Sequence, residues 1–123
     1  TKLGGGSLLV AGDLVYLNSS GNWAKAIASS LGSSGATSLL GIAMGTTGGA
    51  GVLLRGFARA NTTSFNNMTT VGAKLYVSDI TSGQFTETIP ASLGDFVRII
   101  GYVTGTSSDI MYFCPDTTYV EIA

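Results

Sequence analysis

Asp13, Asp79, Glu87, Asp95, Asp109, Asp116 and Glu121 are the carboxylates of this chain, Cys114 is its one thiol, and histidine is absent. Two carboxylates flanking one bond can hydrolyse a glycoside, one as acid and the other as base or nucleophile. Asp13, Asp79, Asp95 and Asp109 instead sit beside turn residues, where an aspartate side chain caps its own local backbone. Without histidine there is no neutral-pH proton shuttle and no Ser–His–Asp or Cys–His arrangement. One thiol without histidine cannot build a zinc site. Asp109 with Asp116, or Asp79 with Glu87, are the pairs that would meet a calcium ion across strands, but no twelve-residue calcium loop surrounds them. The residues therefore predict no catalytic site, no metal and no cofactor.

Other motifs read the same way. GTTGGAG (45–51) is glycine-rich, but a phosphate-binding loop needs a lysine and a following helix, and GVLLRGF, a strand pattern, follows instead. Asn18, Asn61 and Asn67 each begin an N-x-[ST] triplet, as such triplets arise freely in a Ser/Thr-rich chain. Cys114, in IMYFCP, reads as a buried spectator thiol. Arg55 and Arg59 alternate with apolar residues, which suits rimming the core with their stems or, the favoured reading, pairing with Asp95 or Asp109 across a subunit interface.

The elements that must position these residues are short. Segments rich in β-branched and aromatic residues, bounded by Gly, Ser, Asp or Asn, predict strands at 7–11, 14–18, 22–27, 39–44, 51–59, 74–78, 84–88, 96–104, 109–114 and 118–122. Asn22–Ser34 is the one stretch with helical composition, and its serines and Gly32 favour a strand followed by a loop. The chain also repeats itself. Tyr16 and Tyr76 lie 60 residues apart within LVYL and KLYV, and Gly41 and Gly101 lie 60 apart within LLG and IIG. SSGNW (19–23) echoes TSGQF (81–85), and VLLR (52–55) echoes IMYF (110–113). Ordered matches at a fixed separation indicate an internal repeat. The fold class predicted is all-β, a small barrel or sandwich built from two pseudo-repeated β units, about 11–60 and 72–123, in one domain. The two halves should superpose around Tyr16/Tyr76 and Gly41/Gly101.

Composition narrows the partners. Charged residues make up 11% of 123 and the net charge is -1, with the six basic residues scattered, so a phosphate backbone is not an expected partner. No run approaches the roughly 18 apolar residues that span a bilayer, so no membrane insertion is predicted. Several strands are apolar on both faces, and the second face needs another layer or another subunit. A second copy of the chain would supply that cover, with 52–57 and 110–114 contributing and Arg55, Phe57, Arg59, Asp109, Met111 and Phe113, in or beside those segments, as the candidate contacts. If a glycan is bound, Trp23 and the tyrosines are the stacking surfaces available, Trp23 serving equally as a core plug in its hairpin.

The ordered set GDLVYLNSSGNW (12–23), LLGIAMG (39–45), GVLLRGFARA (51–60), GAKLYVSD (72–79), VRIIGYV (97–103) and IMYFCPDTTYVEI (110–122) resembles the C-terminal β-domain of tailed-phage virion appendage proteins, those of tail fibres and head fibres. The closing Phe113, Pro115, Asp116, Val120, Glu121 and Ile122 are the most distinctive part, and Cys114 stands where such domains carry a polar residue. The resemblance implies a location in the virion, oligomers that are often trimers, other virion proteins and a host-surface glycan as partners, and no catalytic residues. In style the chain is also similar to phage capsid decoration proteins, which implies the alternative of a module stabilising the head. A carbohydrate-active enzyme is the remote third reading.

Overall fold

The computed structural model describes residues 2–3, 11–28, 38–45, 51–59, 69–79, 81, 83–106 and 110–122. Their strands are β1 (Lys2–Leu3), β2 (Leu14–Leu17), β3 (Asn22–Lys25), β4 (Leu40–Ala43), β5 (Val52–Leu53), β6 (Gly56–Arg59), β7 (Lys74–Val77), β8 (Phe85–Thr86), β9 (Phe96–Val97), β10 (Ile99–Gly105), β11 (Ile110–Phe113) and β12 (Val120–Glu121). The first sheet has the order β1-β3-β2-β4-β5, the second β6-β11-β10-β7-β8, and β12 pairs with β9 in a third.

The 60-residue offset carries over into hydrogen bonding. Leu17 opposes Trp23 across the first hairpin, and Val77 opposes Phe85 across the second. Val15 faces Gly41 as Leu75 faces Gly101. The Gly12 amide donates to the Ala43 carbonyl at 2.8 Å, and the Gly72 amide to the Val103 carbonyl at 2.7 Å. Each unit is thus a hairpin, β2–β3 or β7–β8, whose first strand also pairs with a later one, β4 or β10, followed by β5 or β11. Gly21 and Gly83 both have φ of 81° at the hairpin turn. In the first, Asn18 Oδ1 accepts from the Ser20 and Asn22 amides. A type I turn closed by a left-handed residue is a frequent hairpin connection, and glycine takes that conformation without steric cost.

The barrel-or-sandwich expectation is corrected. The described residues form three separate sheets, and none of these closes into a barrel. The cause lies at 51–59, read above as one strand. It breaks at Leu54 and Arg55, so β5 is an edge of the first sheet and β6 an edge of the second. Gly56, with φ of 130°, provides the backbone bend that separates them. The predicted strand 96–104 likewise breaks at Arg98, between β9 and β10. Residues 7–10 of the first predicted strand and residues 29–34 lie outside the described residues.

One core joins the two large sheets. Leu14, Leu40 and Ile42 from the first meet Leu75, Val77, Phe85, Ile100, Val103, Met111 and Phe113 from the second. Phe85 and Phe113 pack edge to face with centroids 6.4 Å apart. Ala26 and Ala28, just past β3, bridge the units: Gly83 donates to the Ala26 carbonyl at 2.7 Å and Ala28 to the Ser78 carbonyl at 2.8 Å. A smaller cluster, Val15, Trp23 and Ala43 with Leu17 and Val52, lies on the other face of the first sheet.

These two clusters show that the units pack front to back. Leu14, Tyr16, Ile42 and Leu53 of the first unit face the shared core. Their register equivalents in the second, Lys74, Tyr76, Tyr102 and Tyr112, alternate with core residues and point the other way. Conversely Val15, Leu17 and Trp23 occupy the smaller cluster, whereas Leu75, Val77 and Phe85 fill the core. Superposability around Tyr16 and Tyr76 therefore fails for environment, although their strand pairing corresponds. The glycine pair does correspond: a Cβ on Gly41 would collide with Val52 Cγ1, and one on Gly101 would lie 2.5 Å from the Tyr112 carbonyl oxygen.

Candidate functional site

The inverted packing leaves one side of the second sheet outward. Across it Lys74 on β7 opposes Tyr102 on β10, Tyr102 opposes Tyr112 on β11, and Tyr112 opposes Phe57 on β6. Four side chains therefore form one row over four strands. The Phe57 and Tyr112 rings are 5.2 Å apart and tilted by 55°. Phe57 is 70% exposed, a large apolar ring in water on an edge strand, where sheets usually carry charge. Arg55 and Arg59, both exposed, flank it on the same chain segment, and Ile110 opposes Arg59.

Shallow recesses lie on either side of the row. One, of about 300 Å³, is lined by Arg55, Tyr102, Cys114 and Asp116 among others. The second, of about 360 Å³, is lined by Phe57, Ala58, Arg59 and Ile110. Cys114 is half-buried at the first recess, so the predicted buried thiol is corrected: position 114 follows Tyr112 on the outward side.

Arg98 holds the wall of the first recess in place. It is 8% exposed. Its Nε donates to the Asp116 carbonyl at 2.6 Å and a terminal nitrogen donates to the Ser38 carbonyl at 2.7 Å. Burial pushes its pKa down, and the nearby Asp116 and Tyr119 pull it back up. The side chain thus ties the segment after β11 both to the start of β10 and to the first unit.

The other sequence candidates are dispersed. Met111 and Phe113 are fully buried in the chain's own core. Asp109 lies outside the described residues. Asp95, expected to face an arginine across an interface, is 4% exposed and accepts from the Ser92 amide at 3.0 Å. Trp23 is 3% exposed in the smaller cluster, and its Nε1 meets no acceptor among the described residues, so it is not positioned for ligand stacking. Three other acids hold backbone or a neighbour: Glu87 accepts from the Thr70 amide at 3.2 Å, Asp116 from the Thr118 amide at 3.1 Å, and Asp13 lies 3.8 Å from Lys25 Nζ. Among the described residues no three His, Cys, Asp or Glu side chains gather where they could hold a metal ion.

Sequence reasoning missed Lys74 and Arg98, and it named Tyr102 and Tyr112 only among the tyrosines as a group, without placing them in one row. The row depends on cross-strand register, and in Ile110–Phe113 both faces are apolar, so alternation alone gives no inward side. Compared with protein-family models, with curated proteins and with solved structures, the chain matches none.

Proposed function

We propose that the chain is a non-catalytic domain of a phage virion appendage, a fibre component contributing to assembly or to attachment at a host surface, and that it acts through the outer face of its second sheet. The observation that carries this reading is the in-register row Tyr102, Tyr112 and Phe57 on an open sheet face. Recognition surfaces are rich in such rings, which combine large contact area with little rotamer entropy. Enzymes gather acids, bases or metal ligands in a recess, whereas Glu87, Asp95 and Asp116 accept from backbone amides and Asp13 sits against Lys25. The resemblance of six ordered segments to appendage domains supplies the virion context, and a homotrimer touching other virion proteins belongs to the same proposal.

Immunogold labelling of purified particles with antibodies to this domain tests the reading. Label at the ends of appendages is the expected result. Label spread over the head lattice would replace it with capsid decoration, and unlabelled particles would remove the virion assignment altogether.

A further inference from the structure

The first unit serves as an internal control for the outer face of the second. Its row Leu14, Ile42 and Leu53 is wholly aliphatic and lies against the core. The same backbone register in the second unit carries Lys74, Tyr102 and Tyr112, extended by Phe57 on the added strand β6. A face turned to water needs only polar residues. This one keeps aromatic rings, gives two of them hydroxyls, and surrounds them with cations. Arg55, Arg59 and Lys74, three of the chain's six basic residues, flank or end the row.

We infer that this face binds an acidic polysaccharide, a sugar chain bearing carboxylate or sulfate groups. Phe57, Tyr112 and Tyr102 lie against the apolar C–H faces of successive rings, and the tyrosine hydroxyls exchange hydrogen bonds with sugar hydroxyls. The guanidinium groups of Arg55 and Arg59 suit planar, two-point recognition of carboxylate or sulfate. With neighbouring strands about 4.8 Å apart, the row extends ~14 Å from Lys74 to Phe57, which accommodates several sugar rings rather than one. A second copy of this chain fits less well, since apposing two such faces brings like charges together. A nucleic acid also fits less well: its charge at every residue calls for a denser basic surface than three cations with Asp116 beside them. The inference deepens the attachment reading above and rests on it for the partner being a cell-surface polymer.

The test is titration calorimetry of the whole chain with polygalacturonate, heparin, neutral dextran and a thymidine oligonucleotide, with light scattering on each variant. Binding to polygalacturonate or heparin, weakened several-fold by raising salt, and at least tenfold weaker binding to dextran are expected. Phe57→Ala should reduce affinity about tenfold. Arg55→Ala/Arg59→Ala should also reduce it and flatten the salt dependence. Phe57 is exposed, so its replacement leaves the core intact, and an unchanged unfolding midpoint verifies this. No heat with either acidic polymer at millimolar sugar overturns the inference. So does equal binding of dextran, tighter binding of the oligonucleotide, unchanged affinity in Phe57→Ala, or dissociation of an oligomer by that variant. Labelled appendages with no polymer binding would remove the ligand and leave the attachment reading; polymer binding with unlabelled particles would do the reverse.

Discussion

At the residue scale, Arg98 stands out because a side chain only 8% exposed donates to two distant carbonyls. The Ser38 and Asp116 carbonyls belong to different units of the chain. Arg98→Met keeps much of the side-chain volume and removes these two bonds, leaving both carbonyls with reduced pairing. Hydrogen bonds from charged donors contribute about 1.5–3 kcal/mol each, and stranded buried groups cost a similar amount. The variant should lose about 2–4 kcal/mol, read as a lower urea midpoint with an unchanged slope. An unchanged midpoint would show that the guanidinium does not brace the two units.

At the scale of elements, the repeated β unit depends on close approach at one glycine in each sheet. Gly101 sits on β10 between Leu75 and Phe113, and a methyl group there would meet the Tyr112 carbonyl. That obstacle is backbone within a hydrogen-bonded ladder, so relief requires β11 to shift. At Gly41 the first obstacle is a side-chain methyl of Val52, with the Leu53 carbonyl 3.1 Å away. Overpacking typically costs about 1–3 kcal/mol. Gly101→Ala should fall at or above the top of that range and Gly41→Ala below it, measured as paired thermal unfolding midpoints. The reverse order would mean that the β4–β5 edge is the stiffer one. Displacement of β11 by Gly101→Ala would also move Tyr112, so that variant should bind the acidic polymer less well.

At the scale of the molecule, front-to-back packing distinguishes the two units. Like faces packed together would have produced equivalent exterior surfaces. Here the first sheet keeps a buried cluster around Trp23 on its far side, and the second exposes the aromatic and cationic row. The proposed trimer can therefore be separated from the proposed ligand face. Light scattering over a dilution series should give a trimer mass for the wild-type chain and the same mass for Phe57→Ala. A monomer mass at high micromolar concentration would remove the trimer. Loss of trimer in Phe57→Ala alone would reassign the face to subunit contact.

Alternation of apolar residues with Gly- and Asn-containing turns was enough to locate strands 14–17, 22–25, 40–43, 74–77 and 110–113 to within a residue or two, because turn chemistry and period-2 patterning are local. The offset between Gly41 and Gly101 was legible for the same reason: both positions demand a residue without Cβ where strands approach closely. The breaks at Leu54–Arg55 and at Arg98 were not, since each depends on what the chain meets far away, a second sheet in one case and the Ser38 carbonyl in the other. Nor was the outward row legible. Met111 and Tyr112 are both suited to a core, and a strand apolar on both sides carries no mark of which side faces in. Only packing the second unit's opposite face onto the first settled that Met111 and Phe113 are buried and that Tyr112 and Phe57 meet water, because facing is a property of the pair of sheets and not of either strand.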